Sequence, residues 1–467
     1  MLGGETMIGK TTLTNDEKMR FHKTNANGEV TGIFDFAIAD YVLKTNNILQ
    51  LQDKTYIYNN GVYQYDPYHK QIAAKVSECM YDSMITARRI NEVIKLILLD
   101  TSIDTQIAQL NNYPELYINF KNGMYDPIRN EMHEHNPQYN SVNQINCNYN
   151  PMKEFNSSTK YTLDNLLGYL IPDKQDIDTV FEFFGYAMTT SFKFQRYLTF
   201  LGDGRTGKSE ILGLLISVLG DRNCSNASLE TLSTNRFAPA ELFLKTANIC
   251  GDISKKPLED TTVIKLLTGG DSISAELKGR DPFRMKSYAK PIFSTNDFPN
   301  VRNENTNAFF ERMLIIKTCR RDERVDIPNI TDKLSAEKDY FIYRCIQGLQ
   351  RLIAQGGFTI SESCKKAVNS IRSDSDSIFS FMENKITINI ESRNYIKKTD
   401  LYREYCEYCE KELEQPPKSK KEVYKVFDNK VGQATKYCGD YSYKGILIDS
   451  EFIEITNTEL EKLERVI

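Results

Sequence analysis

The sequence predicts an α/β core built on a parallel sheet, with an α+β region before it and short helices and a hairpin after it. From about residue 196, short apolar runs alternate with helical stretches and glycine-containing loops, which is the α/β pattern. Before that point, Asn-Gly pairs between aromatic residues indicate hairpins at 56–66 and 117–127. No apolar run approaches the ~20 residues that a transmembrane helix needs.

Composition narrows the class of protein. The chain is 40% hydrophobic and 26% charged, as is usual for globular proteins, and its net charge of −4 excludes a general polycation. The N-terminus lacks the apolar stretch of a secretory signal, so we expect a cytoplasmic protein, in a bacterial host. Of the ten cysteines only Cys406 and Cys409 have a paired spacing. Their segment reads as a helix, which we favour over half a zinc site or a redox pair.

Four regions are predicted along the chain. Residues 1–105 form an α+β region with an open role in assembly or partner binding, and residues 106–190 form a helical domain. Residues 191–355 form the α/β core. The segment 373–377, with the sequence SDSDS, is expected to be a linker, and residues 375–467 form a C-terminal domain with a hairpin at 441–449.

Two segments match the phosphate-loop pattern G-x-x-x-x-G-K-[ST]. The first, GGETMIGKTT at residues 3–12, contains Lys10. Only three residues precede its first pattern glycine, Gly4, and no apolar helical face follows it. Because neither a strand nor a helix can form there, we interpret this match as chance.

The second match, GDGRTGKS at 202–209, has the required context. The β-prone run 197–201 leads into it, and an amphipathic pattern follows it and ends at Gly220. Its loop residues are Gly202, Asp203, Gly204, Arg205, Thr206 and Gly207. Backbone N–H groups of such a loop converge on phosphates, Lys208 reaches the β/γ oxygens, and the Ser209 hydroxyl ligates Mg²⁺. The alternative, a glycine turn without a ligand, is less consistent with this order of elements.

Two further strand ends supply the other groups that hydrolysis requires. The segment ANICGDIS at 247–254 is predicted to be a short strand that ends in Asp252, which suits the acid that holds Mg²⁺ or its waters. The segment PIFSTNDFP at 291–299 is predicted to be a strand that ends in Asn296, and an amide there can orient the attacking water. The intervals from Lys208 to Asp252 and from Asp252 to Asn296 are both 44 residues, which fits successive strands of one parallel sheet.

In these motifs the chain resembles the superfamily 3 helicases, which are hexameric viral, phage and plasmid replicative ATPases of the AAA+ class. The tract LLTGGDSISAELKG points to the phage/plasmid primase–helicase branch, which includes poxvirus helicases. The resemblance implies ATP and Mg²⁺ as cofactors, homohexamers, 3′→5′ translocation and a C-terminal winged-helix domain. It also implies roles: Lys208 and Ser209 as Walker A, Asp252 as Walker B, Asn296 as sensor 1, and Arg312 as an arginine finger acting on a neighbouring subunit.

Two features depart from the family pattern. Many relatives carry two adjacent acids in Walker B, but here Gly251 precedes Asp252. Asp252 therefore serves both metal and water, or another acid assists. In addition, Pro291 opens the third strand and is expected to be its first residue, because proline cannot donate to a ladder. For Arg312, a surface ion pair with Glu311 is the alternative to the finger.

Segment 272–290 carries five basic residues against two acidic ones and reads as a hairpin with Gly279 at its turn. The resemblance implies that it tracks single-stranded DNA inside the hexamer, with Lys278, Arg280, Arg284 and Lys286 as contacts and Phe283 as packing or a stacking platform. A solvated charged hairpin is the alternative. The lysine-rich segment 416–445 indicates equally a DNA site, a solvated face or a partner-docking site.

The sequence therefore predicts a hexameric DNA helicase of a phage, satellite or other mobile element, acting on single-stranded and forked DNA. Two alternatives stay open. One is a primase–helicase, or a helicase that recruits a separate primase, although 1–150 shows no zinc ribbon or carboxylate cluster suited to primer synthesis. The other is a replication initiator whose ATPase only drives assembly on origin DNA.

Overall fold

A computed structural model describes residues 13–448 apart from 52, 157–158, 160, 205, 252, 254–255, 302–306, 320–327, 390 and 393. The first phosphate-loop match, with Lys10, lies outside these described residues. So do Asp252 and Arg205.

The N-terminal region combines small sheets with helices around its own buried cluster, which includes Ile38, Val76 and Ile97. Its helices are α1 (Asn15–Met19), α2 (Asp35–Thr45), α3 (Lys70–Glu78) and α4 (Ala87–Leu98). Its strands are β1 (His22–Thr24), β2 (Val30–Ile33), β3 (Ile48–Leu51), β4 (Lys54–Asn59) and β5 (Val62–Tyr65). The predicted hairpin at 56–66 is confirmed: Asn60 and Gly61 have φ of 47° and 89°, and they connect β4 to β5.

The second hairpin is confirmed with its turn one residue earlier than predicted. Phe120 pairs with Gly123, so the turn is Lys121-Asn122 and the glycine opens the second strand. This region contains β6 (Ile118–Phe120), β7 (Gly123–Asp126), β8 (Glu131–His133), α5 (Thr162–Leu170) and α6 (Lys174–Ala187). Its apolar side chains share one buried cluster with the sheet that follows. The two helices therefore pack directly against the α/β core.

The core is a five-stranded, wholly parallel sheet, which confirms the α/β prediction. Its strands are β9 (Tyr197–Leu201), β10 (Cys224–Ser225), β11 (Ala247–Cys250), β14 (Lys290–Thr295) and β15 (Met313–Lys317), and β12 (Ser272–Ala275) and β13 (Phe283–Lys286) form a separate hairpin. The helices are α7 (Lys208–Leu219), α8 (Leu229–Thr234), α9 (Ala238–Glu241), α10 (Thr262–Gly269), α11 (Ile330–Ala336), α12 (Lys338–Gln355) and α13 (Glu362–Ser375). The strand order is β10-β11-β14-β9-β15. Three strands that precede predicted site residues, β11, β14 and β9, are thus neighbours.

The prediction that Pro291 is the first residue of its strand is wrong by one position, and the hydrogen bonding explains why. Lys290 opens β14 and donates its backbone N–H to Thr246 O, on the β11 side. The next N–H along the strand would face β9, where pairing begins only at Ile292 with Leu198. Pro291 therefore removes no ladder hydrogen bond.

The C-terminal region forms a small α/β unit with its own buried cluster, which includes Phe381, Tyr405 and Phe427. Its elements are α14 (Ser377–Lys385), β16 (Ile386–Ile388), β17 (Tyr395–Lys397), α15 (Lys398–Lys411), α16 (Lys420–Val431), β18 (Thr435–Tyr437), β19 (Asp440–Lys444) and β20 (Ile446–Ile448). One sheet has the order β17-β19-β18, and β16 pairs with β20. The helix predicted around Cys406 and Cys409 is confirmed as α15.

Two expectations for this part of the chain are wrong. The segment 373–377 is not a linker: α13 ends at Ser375, and the Asp376 side chain caps α14 by accepting from the N–H groups of Ile378 and Phe379. The hairpin expected at 441–449 lies earlier, with Gly439 at the turn between β18 and β19, because β20 pairs with β16. Within the described ranges, no helix is long and apolar enough to cross a membrane.

Candidate nucleotide and DNA site

The glycine loop 202–207 connects the carboxyl end of β9 to the amino end of α7, as the sequence predicts. Helix α7 begins at Lys208 and runs for 12 residues, so its amino terminus faces back toward the loop. Backbone N–H groups at such a terminus carry partial positive charge and bind anions. The strand, the loop and the helix thus have the arrangement that phosphate binding requires.

Two of the loop glycines are required by the fold, and one is not. Gly202 has φ of 153°, and a Cβ there would lie 2.1 Å from Thr318 O. Gly207 has φ of 100°, and a Cβ there would lie 2.9 Å from a methyl carbon of Leu166. A Cβ on Gly204 would have no heavy atom of the described residues within 4 Å, apart from those of its chain neighbours. The packing of the chain therefore does not explain Gly204, whereas close approach of a ligand would.

Lys208 is held inside the loop. Its side chain is 8% exposed, and its Nζ donates to the carbonyl oxygens of Gly202 at 2.5 Å and Asp203 at 2.7 Å. Burial lowers the pKa of the Lys208 ammonium below its usual value, while the nearby Asp203 carboxylate opposes that shift. Ser209 follows in the first helical turn with an exposed side chain, and the Thr206 hydroxyl donates to Asp203 O at 3.2 Å.

Asn296 lies next to the start of this loop. It is the first residue after β14, and the preceding residue, Thr295, accepts a 3.1 Å hydrogen bond from the N–H of Gly202. The exposed Asn296 amide lines a cleft of about 370 Å³ together with Leu201 and Lys317, which end the two neighbouring strands β9 and β15. The carboxyl edge of the sheet is where open α/β sheets bind ligands.

The strand that precedes Asp252 in the sequence ends at the carboxyl edge of the sheet. Strand β11 ends at Cys250 and pairs in parallel with β14, with Cys250 opposite Phe293. Asp252 itself lies outside the described residues, and its contact with a metal therefore stays a prediction. The carboxyl end of β11 is on the same edge of the sheet as the loop and Asn296.

Arg312 lies at the amino edge of the sheet, opposite the carboxyl edge that carries the phosphate loop. It ends a short 3-10 helix, Phe310–Arg312, immediately before β15, whose first residue Met313 pairs with Tyr197 at the start of β9. Five strand residues separate that edge from the loop, roughly 16 Å at about 3.3 Å per residue. Arg312 Nη1 donates to Ala308 O at 2.6 Å, and its buried Nε has no hydrogen-bond partner among the residues that the structure describes. Arg312 thus does not reach the loop of its own chain.

The charged hairpin forms as predicted. Strands β12 and β13 pair antiparallel from Ser272–Lys286 to Ala275–Phe283, and Gly279 in the connection has φ of 76°. Alternation along the strands buries Ile273, Ala275 and Met285 and exposes the other face. The four predicted DNA contacts, Lys278, Arg280, Arg284 and Lys286, are all exposed. Phe283 packs edge-on against Phe243, with ring centroids 5.2 Å apart.

Lys290 does not belong to this surface, although it contributes to the positive charge counted in the sequence. It is 3% exposed; its Nζ donates to Thr189 O and lies 4.7 Å from the Tyr186 ring centroid. Burial lowers its pKa well below the usual value. No feature of the local sequence distinguishes it from the exposed lysines, because its partners lie about a hundred residues earlier.

Sequence reasoning also missed Tyr288, which follows the hairpin. Its hydroxyl donates to Asn143 Oδ1 at 2.6 Å and accepts from Asn111 Nδ2 at 3.0 Å. Asn143 in turn donates to Asn223 Oδ1 at 2.8 Å and to Leu244 O at 2.9 Å. This amide network joins the base of the hairpin to the region before the core.

Family models match two parts of this chain. Residues 37–185 match the family described as "D5 N terminal like", and residues 200–312 match a family of unknown function, DUF5906. A protein of Acanthamoeba polyphaga mimivirus that is named as a helicase is 23% identical over 201 residues, which are 42% of this chain and 20% of that protein. The chain thus corresponds to about a fifth of that relative's length.

The resemblance predicted from the motifs is confirmed. The chain is similar to phage and viral primase–helicases of the superfamily 3 type. Among solved structures, the apo C-terminal region of NrS-1 is similar in fold: the TM-score is 0.50 at 14% identity, over 88% of this chain and 99% of that one.

Proposed function

We propose that this chain is the motor of a DNA helicase, which hydrolyses ATP with Mg²⁺ at the loop 202–209 and uses the energy to unwind DNA for replication. The observation that carries the proposal is the hydrogen bond from Gly202 N to Thr295 O. It fixes the phosphate loop beside Asn296, so a phosphate-binding element and a water-orienting amide share one edge of the sheet. The mimivirus relative that is named as a helicase and the match to the "D5 N terminal like" family agree with this proposal.

The residues of the loop fit a nucleoside triphosphate and Mg²⁺. The helix terminus and the Lys208 ammonium supply positive charge, the open space at Gly204 admits a phosphate close to the backbone, and Ser209 offers an exposed hydroxyl to a metal. Bound Mg²⁺ would neutralise charge on the phosphates. On binding, Lys208 would exchange the carbonyls of Gly202 and Asp203 for phosphate oxygens. Asn296 would orient water, and Asp252 would complete the metal site.

We place DNA on the hairpin of β12 and β13. Its exposed face carries four cations, and a glycine with open space around it forms its tip. The C-terminal region supports a second DNA contact. Its order of α14, β17, α15, α16 and then the β18–β19 hairpin, with a sheet ordered β17-β19-β18, is consistent with a winged helix.

We propose that the active form is a homohexamer in which Arg312 completes the neighbour's ATP site. The separation of Arg312 from its own loop supports this arrangement, because one chain alone cannot bring the two together. Arg312 is half-buried, and its Nε has no partner in the described ranges, which is consistent with a donor that binds an anion. An arginine finger is worth about 10³–10⁵ in the rate of phosphoryl transfer.

The test compares ATP hydrolysis and unwinding of forked DNA with 3′ or 5′ single-stranded tails. Wild type is expected to hydrolyse ATP and to unwind from the 3′ tail. Lys208→Ala is expected to lose both activities, and Lys10→Ala, at the other pattern match, is expected to keep both.

Each contrary result points to a different function. ATP hydrolysis without unwinding on either tail would overturn the helicase and favour an initiator whose ATPase drives assembly on origin DNA. Primer synthesis on a single-stranded template would favour a primase–helicase. Hydrolysis that survives Lys208→Ala would remove the loop 202–209 from the mechanism.

A further inference from the structure

The C-terminal region carries an exposed pair of stacked tyrosines. Tyr395 on β17 and Tyr437 on β18 extend over the intervening strand β19, and their rings stack with centroids 3.9 Å apart and an interplanar angle of 3°. They are 37% and 46% exposed. Tyrosines that serve a core are buried, as Tyr405 and Tyr443 are in the same unit.

The charged residues beside the stack lie on β19. Tyr395 pairs with Lys444 and Tyr437 pairs with Asp440, and directly paired residues have Cβ atoms about 4.5–5.5 Å apart on the same face of the sheet. Asp440 forms a 2.8 Å salt bridge with Lys397. Lys444 is exposed at the Tyr395 end of the stack.

We propose that this surface, the Tyr395–Tyr437 stack with Lys444, is a binding site for single-stranded DNA. A base would stack on the open ring face and continue the existing stack, while Lys444 contacts a flanking phosphate. Stacking on aromatic side chains with basic residues alongside is how proteins hold single strands without reading sequence. Because tyrosine is also enriched in protein–protein interfaces, a protein partner is the contrary outcome that the experiment tests.

This inference rests on the proposed function and assigns to the C-terminal unit the binding of one DNA strand. The experiment measures the equilibrium binding of DNA in the absence of ATP, so its result is separate from ATP hydrolysis and unwinding. The full chain carries Lys278→Ala and Arg280→Ala, which remove two contacts of the β12–β13 hairpin. Binding is compared for a fluorescent oligothymidylate and for an abasic oligomer of equal length, which has the same phosphates and no bases.

In this background, the chain is expected to prefer the oligothymidylate. Changing Tyr395→Leu and Tyr437→Leu together is expected to reduce its affinity by about tenfold or more, while affinity for the abasic oligomer stays constant. Tyr395→Phe with Tyr437→Phe is expected to retain the preference. Tyr68→Leu, at a tyrosine that is 88% exposed in the N-terminal region, is the matched control and is expected to change neither affinity.

Equal melting temperatures for all variants establish that the fold is intact. If the double Leu variant keeps the preference for bases, the proposal is overturned and the tyrosines belong to another partner. If it loses affinity for both oligomers equally, the proposal is also overturned, because the rings then do not act on bases. Photocrosslinking of 5-iododeoxyuridine to peptides within 394–444 would support the site.

Discussion

The Tyr288 hydroxyl donates a 2.6 Å hydrogen bond to Asn143 Oδ1, across 145 residues of sequence. Tyr288 lies between the charged hairpin and β14, and Asn143 lies in the region before the core. The hairpin is therefore fixed at its base to a part of the chain that does not contain the phosphate loop. Burial raises the pKa of Tyr288 far above its usual value, so the hydroxyl remains a donor.

We expect Tyr288→Phe to lower the free energy of unfolding by about 1–3 kcal/mol, because Asn111 and Asn143 lose a buried partner. It should also weaken the stimulation of ATP hydrolysis by DNA, since the hairpin loses its anchor. Denaturant unfolding and DNA-stimulated ATPase assays measure the two effects. Tyr68→Phe, at an exposed ring, serves as the control. A Tyr288→Phe protein with wild-type stability would show that the network contributes nothing.

The loop glycines are expected to respond differently to alanine. Gly202→Ala should destabilise the fold by more than about 2 kcal/mol, because a Cβ would overlap Thr318 O at 2.1 Å and φ is strained. Gly204→Ala should change stability by less than about 0.5 kcal/mol and yet weaken ATP binding. Thermal unfolding and nucleotide titration of both variants test this. If Gly204→Ala binds ATP as wild type does, no ligand approaches the backbone there.

The hairpin cations are expected to contact phosphates of a single strand. Changing Lys278→Ala and Arg280→Ala together should weaken DNA binding and make its dependence on salt shallower by about 0.7 per lost contact in a plot of log K against log salt. Anisotropy titrations at several salt concentrations give that slope. Arg88→Ala, at an exposed arginine on α4, is the control. A weaker affinity with an unchanged slope would argue against phosphate contacts.

The local sequence was sufficient to predict the phosphate loop, because the strand, the loop and the helix are contiguous and each has a distinct sequence pattern. The 12-residue helix α7 and the five-residue strand β9 follow directly from the run before the loop and the pattern after it. The same holds for the hairpin at Gly279, whose alternating pattern is complete within 15 residues of sequence.

Features that depend on distant partners could not be predicted. The burial of Lys290 depends on Thr189 and Tyr186, and the role of Tyr288 depends on Asn111 and Asn143. The segment SDSDS has the composition of a linker, yet it joins two helices because the Asp376 carboxylate caps the second one. In each case a tertiary or capping contact decides what composition leaves open.

The finger assignment predicts complementation between two inactive proteins. Lys208→Ala cannot bind phosphate in its own loop but still carries Arg312, whereas Arg312→Ala has an intact loop without a finger. Mixed oligomers place some Lys208→Ala subunits beside an intact loop, so mixing should restore a measurable fraction of ATPase activity. Each variant alone and a Lys208→Ala/Arg312→Ala double variant in the mixture are the controls. Absence of restored activity in oligomers that demonstrably mix would exclude action across the interface.

The proposed contact of Lys208 with phosphate predicts that nucleotide binding is coupled to proton uptake. Burial lowers the pKa of its ammonium below its usual value, so in alkaline solution the free protein loses this proton more readily than an exposed lysine would. A bound triphosphate favours the charged form and raises that pKa, and binding must then take up protons. Calorimetry with a non-hydrolysable ATP analogue, in two buffers of different ionisation enthalpy, measures the uptake. Lys208→Arg stays charged throughout and should show none from this residue. Equal proton uptake by the wild type and Lys208→Arg would mean that Lys208 does not meet the phosphates.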